Sequence, residues 1–164
     1  MNLKNRCIMS IKDVKDAINI INSNIELADF VGEISPDLII KAENMLGVNF
    51  PESYKYFLEN LGCGDIYGQE FYGIIKEDFI NSGIPDAIWV TLKMRENSGL
   101  PNYFVIVYFG GDGDYYAIDC RNPNEAPVIC WIPGVSTKDG LYTKVAKDFG
   151  VFFKETIIDA KKNW

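Results

Sequence analysis

The 164-residue sequence contains no histidine, and this absence removes several classes of enzyme. Ser–His–Asp catalysis and histidine-based nuclease chemistry are excluded, because each needs an imidazole as its base. A nucleophile at Cys63 would lack its usual base for the same reason, so a packed thiol is the better interpretation. Zinc-finger spacing is also missing among the four cysteines, and no disulfide is expected: Cys7, Cys63, Cys120 and Cys130.

Long apolar runs and basic charge are scarce as well. No apolar stretch approaches the roughly 18 residues of a membrane span, and Lys12 and Asp13 interrupt the N-terminal segment before a signal peptide could form. The net charge of −7 argues against nucleic acid and anionic membranes as partners, because both attract basic patches. The same charge suits a basic protein partner. Free thiols without an export signal predict a cytoplasmic protein.

Phosphate-loop and dinucleotide-binding motifs are missing too, so the sequence predicts no cofactor. What is present is organised around Leu46–Gly64. Gly47 suits the left-handed position just past a helix, and Pro51 suits the first turn of the next helix. Two glycines end this second helix and turn the chain towards strands. Its apolar face recurs at helical spacing: Tyr54, Phe57, Leu58 and Leu61.

The flanking segments predict helices at both ends of the chain and strands between them. Ser10 and Ser35 are expected to cap helices, and Glu26–Glu33 is expected to be a connection of mixed type. Further helices are predicted over Ala87–Asn97 and over Val145–Ala160. The predicted strands are apolar runs: Ile66–Tyr67, Phe71–Ile75, Tyr103–Phe109, Tyr115–Cys120 and Pro127–Ile132.

This order of elements predicts an α+β fold in which helices pack against a mostly antiparallel sheet. Residues 1–164 are expected to form a single domain, because the chain shows no repeat, linker or low-complexity segment. Cys130 lies in an apolar run and is expected to be buried. The predicted core includes seven large side chains: Tyr54, Phe57, Leu58, Ile106, Trp131, Phe149 and Phe152.

Candidate chemistry is confined to the sequence Gly110–Asp114, which reads GGDGD. It could bind calcium, but the further acids and the closing glutamate of an EF-hand are missing. A glycine-rich hairpin turn between two apolar strands explains it better. Asp112 and Asp114 could alternatively form a catalytic carboxylate pair, although acids on a turn are more often solvated. Four tyrosines could anchor an interface, with packing expected for at least half of them: Tyr67, Tyr72, Tyr115 and Tyr116.

From Leu46–Gly47 through Phe50–Pro51 into the second helix, the chain resembles the helix pair that marks the SMI1/KNR4 (SUKH) superfamily. Ile39 and Glu43 lie where that pattern has an aliphatic residue and an acid. The glycine-rich hairpin and the closing aromatic helix fit as well, so the resemblance runs from about Ser35 to the C-terminus. Phe50 departs from the pattern, which often has leucine before the proline. Within the superfamily, the bacterial YobK-like branch is the most similar.

The resemblance implies an immunity protein that binds and neutralises a cognate toxin, often a nuclease, and that needs no metal. The fungal branch implies an alternative, a scaffold or regulatory module for a host protein. A carboxylate-based hydrolase is a third hypothesis. Loops at sheet ends hold polar groups on a rigid base, which predicts a partner-binding surface of acids and tyrosines there. Its predicted members are Asp65, Tyr67, Glu70, Tyr72, Asp112 and Asp114.

Overall fold

The computed structural model describes residues 2–136 and 142–164, without the side chains of Leu3 and Arg6. Five helices lie in these ranges: α1 (Leu3–Asn22), α2 (Pro36–Leu46), α3 (Glu52–Leu61), α4 (Ala87–Ser98) and α5 (Phe149–Asn163). Seven strands accompany them: β1 (Ala28–Phe30), β2 (Gly64–Ile66), β3 (Gln69–Phe71), β4 (Phe104–Phe109), β5 (Tyr115–Asp119), β6 (Val128–Trp131) and β7 (Thr143–Ala146). Two single turns of 3-10 helix, Ile25–Leu27 and Pro123–Glu125, complete the regular structure.

The seven strands form one sheet in which spatial order equals chain order and every neighbouring pair is antiparallel. The predicted α+β class is therefore confirmed. Register shifts leave one extra residue on β4, between Ile106 and Tyr108, and one on β7, at Val145. Such bulges increase the local twist, which helps a sheet curve around helices.

Helix α4 lies against β4 and satisfies part of its backbone. The hydroxyl of Thr91 accepts a hydrogen bond of 3.0 Å from the backbone N–H of Ile106. Strand β3 pairs with β4 only at Phe71 and Tyr108, so this N–H would otherwise have been left without a strand partner. The helix starts at the buried Asp86, whose carboxylate accepts from two backbone N–H groups of the first turn at 2.9 Å.

Helices α1 and α5 pack together and bring the two ends of the chain into contact. One prediction from the sequence is wrong at this contact. Helix α1 begins at Leu3 and not near Ser10, so the predicted cap at Ser10 is wrong. The Ser10 hydroxyl instead donates to the Asp148 carboxylate at 2.7 Å, and Asp148 caps α5. Gly150 permits this approach, because a Cβ there would lie 2.0 Å from the Ser10 carbonyl oxygen.

Three further expectations need correction. Val145 lies in strand β7 and not in the closing helix, which starts only after the Asp148 cap. The connection Glu26–Glu33 contains strand β1, which pairs with β2 along its whole length. Cys130 is half-buried, because β6 turns it to the sheet face that α5 covers only in part. All four cysteines are free in the described part of the chain.

The core is aromatic and lies where α3 and α5 meet the sheet. All seven side chains predicted to be buried are buried, which confirms that prediction. Tyr54 packs edge-on against Phe149 with ring centroids 4.9 Å apart, and Phe57 does the same with Phe153 at 5.1 Å. Glu43 accepts a hydrogen bond of 2.7 Å from the Phe50 N–H, which ties the link between α2 and α3 to this core.

Candidate functional site

Three carboxylates lie side by side across strands β1, β2 and β3. Asp29 is the register partner of Asp65, and Asp65 is the partner of Glu70. Register partners in a pleated sheet point to the same face, so the three acids form a row. Like charges placed directly opposite one another destabilise a sheet. Partial burial, and then the charge of Asp65, raise the pKa of Glu70. We call these three residues the acidic row.

Aromatic side chains continue this face across the middle of the sheet. Tyr72 follows Glu70 by two residues and shares its face, but it is buried. Burial, and then the nearby charge of Glu70, raise its pKa. Phe109 also points this way, because its neighbour Tyr108 is the register partner of Phe71 on the opposite face. Its ring is 38% exposed.

The β4–β5 hairpin turn follows directly from Phe109. The Gly110 N–H donates to the carbonyl of Asp114 at 2.8 Å, which closes the turn. Gly111 and Gly113 adopt φ values of +97° and +89°, which side chains rarely tolerate. The interpretation of this stretch as a glycine-rich turn is therefore confirmed. Among the described residues, no group of three or more acids or cysteines is placed to hold a metal ion.

Tyr67 lies on the other side of the sheet. It occupies the two-residue turn between β2 and β3 together with Gly68, with φ values of +52° and +69°. Its ring is only 4% exposed and packs 5.9 Å from the ring of Trp164, beyond the end of α5. Its hydroxyl is buried and has no hydrogen-bond partner in the part of the chain that the structure describes.

The structure thus divides the six predicted partner-binding residues. Asp65, Glu70 and Tyr72 share one face, and the exposed Asp112 lies on the hairpin next to the aromatic end of that face. Tyr67 does not join them, and Asp114 alternates to the face of Tyr116. Burial removes Tyr67 and Tyr72 from the accessible surface, so packing is confirmed for these two of the four tyrosines.

Sequence reasoning missed two members of the exposed face. Asp29 was not predicted, because the segment around it was not identified as a strand. The available signal was the alternation of apolar and polar residues in Ala28–Phe30. Phe109 ends the apolar run of a predicted strand, and that run gives no sign that its last ring is exposed. The assignment of the six original residues to a binding surface stays a prediction.

A family model described as SMI1-KNR4 cell-wall, SUKH_6, matches residues 36–153. The chain belongs to the SUKH family. This match confirms the resemblance seen in the helix pair. The family is known for immunity proteins that bind toxins. The matched range covers α2 to the start of α5. Helix α1, strand β1 and the C-terminal part of α5 lie outside it.

The buried carboxylates of this SUKH chain serve its structure. Asp86 caps α4, accepts a further hydrogen bond from Ser82 at 3.0 Å, and has its pKa raised by burial. Asp119 accepts from the Arg121 guanidinium at 3.0 and 3.1 Å. Of the described helices, none has the length and apolar character that crossing a membrane demands.

Proposed function

We propose that this SUKH protein is an immunity protein, a single domain over residues 1–164 that neutralises a cognate toxin by stoichiometric binding. One observation carries the proposal: the acidic row places like charges opposite one another, and none of its members forms an ion pair with a described residue that would offset the repulsion. A row of like charges maintained on an exposed sheet face is understandable if a basic partner covers it. With four free thiols, the chain suits the reducing cytoplasm.

The toxin that fits this surface is a nuclease domain. Such a domain must attract phosphates, so its active face carries lysine and arginine. The acidic row and Asp112 would steer that face during encounter, which gives fast and salt-sensitive association. Phe109, exposed beside them, would supply the desolvated contact that slows dissociation. An inhibitor bound in this way blocks the toxin by covering its substrate site.

The test is co-expression with a toxin domain encoded by a neighbouring gene, together with binding kinetics at two salt concentrations. Charge reversal at Asp65 and Asp112 should slow association about tenfold and flatten its salt dependence. Phe109→Ala should speed dissociation with little effect on association. Glu96→Lys serves as the matched control, because Glu96 is an exposed acid on α4 whose one ion pair among the described residues is a surface pair with Lys93.

Full protection by every variant, with unchanged kinetics, would remove this face as the binding surface. Tight capture of a host protein in place of a toxin would favour the scaffold alternative. If protection requires this protein itself to turn over a substrate, the result would instead identify it as an enzyme.

A further inference from the structure

A cleft of about 560 Å³ opens between the C-terminal half of α5 and the sheet face opposite the acidic row. Five of the residues that line it are aromatic. Tyr108 and Tyr116 pack edge to face with centroids 5.5 Å apart, and both rest on Phe152. Tyr67 and Trp164 form the far end. These five rings border an open cleft, whereas the rings between α3 and α5 pack against one another in a closed cluster.

Two tyrosine hydroxyls at this cleft differ in their hydrogen bonding. The Tyr108 hydroxyl donates to the side-chain oxygen of Gln69, and both residues line the cleft. The Tyr67 hydroxyl, in contrast, is buried without a hydrogen-bond partner among the described residues. Leaving such a group unsatisfied costs free energy. Tyr67 also occupies a left-handed turn position that asparagine or glycine fills at lower cost. Two unfavourable features at one residue point to a role outside stability.

The charged groups on the cleft wall are acidic. Glu155 and Asp159, one turn apart on α5, both line it. Asp159 forms an ion pair of 2.8 Å with Lys162, but both side chains are about 70% exposed, so water screens this pair strongly. No lysine or arginine within the described ranges lines the cleft. A ligand entering it meets aromatic faces and negative charge, next to the buried Tyr67 hydroxyl, whose oxygen is able to accept a hydrogen bond.

We propose that this cleft binds an organic cation, an alkylammonium or guanidinium group on an aliphatic stem. The rings attract a cation through their negative faces and cover its apolar stem. The Tyr67 hydroxyl accepts an N–H of the cation and thereby gains its missing partner. Glu155 supplies charge at the mouth. This site is on the opposite face from the acidic row, and its failure would leave the toxin-binding proposal untouched.

Two sources carry this chemistry: a lysine or arginine side chain of a protein, and a free small amine. Nα-acetyl-lysine methylamide, whose side-chain amine is free, represents the first source. 1,5-Diaminopentane represents the second. N-acetyl-norleucine methylamide is the matched neutral control, because it keeps the aliphatic stem and removes the charge. Titration of the isotope-labelled full chain with each probe, followed by backbone and indole N–H chemical shifts, measures affinity and locates the site together.

The lysine analogue or the diamine should shift the Trp164 indole signal and the Tyr67–Gln69 amides, with a dissociation constant on the order of 1 mM. The norleucine analogue should bind at least fivefold more weakly. Whichever cationic probe binds more tightly identifies the source. Equal binding of the neutral analogue would show an unspecific apolar groove and overturn the proposal. Shifts located elsewhere, or none at all, would overturn it too.

Two conservative variants separate recognition from folding. Tyr67→Phe keeps the ring and should weaken cation binding about tenfold, because a hydrogen bond to a charged group is lost. Glu155→Gln should weaken it about threefold, as expected for a partly solvated charge. Glu96→Gln, on α4, should leave binding unchanged. If Tyr67→Phe binds the cation as well as the original chain does, the assigned role of the hydroxyl is wrong.

Discussion

The two ends of α5 use similar side chains in opposite ways. At the N-terminal end, Phe149 and Phe153 stack at 5.7 Å and close the core against α3. There Tyr54 is fully buried, and its hydroxyl donates to the Tyr72 carbonyl at 3.0 Å. At the C-terminal end, the rings border a cleft. Tyr67 is nearly as buried as Tyr54, but its hydroxyl has no described partner.

The contrast shows that aromatic density does not distinguish a core from a site. What distinguishes them is whether each buried tyrosine hydroxyl has a hydrogen-bond partner. A fully satisfied buried tyrosine contributes both area and a hydrogen bond to folding. An unsatisfied one costs stability, and in this chain it does so beside a cleft. The following predictions test that contrast, beginning with the largest expected effect.

Phe57→Ala should lower the free energy of unfolding by about 3–5 kcal/mol, because it leaves a cavity among Tyr54, Phe149 and Phe153 that they cannot refill. Urea titration of the folded protein measures this loss. Glu59→Ala, on the exposed side of the same helix, should change stability by less than about 0.5 kcal/mol. A loss below about 1 kcal/mol for Phe57→Ala would contradict the closed core.

Tyr54→Phe should cost about 1–2 kcal/mol, although it changes one atom. The variant keeps the ring but leaves the Tyr72 carbonyl without the hydroxyl that now donates to it. Thermal and urea unfolding should agree on the size of the loss. No measurable loss would mean that this hydrogen bond is not what distinguishes the two tyrosines.

Tyr67→Phe should have the opposite sign and stabilise the chain by about 1 kcal/mol, since it removes a buried hydroxyl that has no partner in the described structure. The same two unfolding measurements apply. Destabilisation of the same size as that of Tyr54→Phe would show that the Tyr67 hydroxyl is satisfied in the free protein. The contrast between the two ends of α5 would then be lost.

The smallest effect concerns the acidic row. Burial and Asp65 raise the pKa of Glu70 in the folded chain, so ionised Glu70 weakens folding at neutral pH. The stability gained by protonation is fully present below the unfolded-state pKa and is lost as pH rises through the folded-state value. Glu70→Gln should therefore stabilise by about 0.5 kcal/mol at neutral pH and by nothing near pH 3, after allowance for solvent screening. Glu96→Gln is the control. A pH-independent gain would contradict electrostatic repulsion within the row.

Local cap chemistry was predictable, and contacts between distant segments were not. The Ser35 hydroxyl accepts from the Leu38 N–H, and Gly47 takes the left-handed position after α2, both as predicted, because each depends on residues next to it. Ser10 was also expected to cap a helix, but its hydroxyl bonds to Asp148. Pro36 in the first turn after Ser35 is the local signal that distinguishes the two serines, because Ser10 has no such proline after it.

The candidate sites show the same division. The exposed, acidic character of the hairpin followed from its glycines and aspartates. Which face each tyrosine takes depends on strand register, and register is set by pairing across the sheet. Strand β7 was missed because its short alternation runs directly into a helix start. The cleft could not be foreseen, since Trp164 reaches Tyr67 only through the packing of α5.

The chain-order sheet has a consequence for how this protein folds. Each strand pairs with its neighbour in sequence, so the longest connections that the sheet must close are residues 31–63 and 72–103, which hold α2, α3 and α4. The α1–α5 contact instead joins residues 138 positions apart at Ser10 and Asp148 and carries the largest loop-closure entropy. We expect the terminal helices to dock last and open first. In native-state hydrogen exchange, amides of α1 should therefore exchange through a smaller opening than those of β4 and β5.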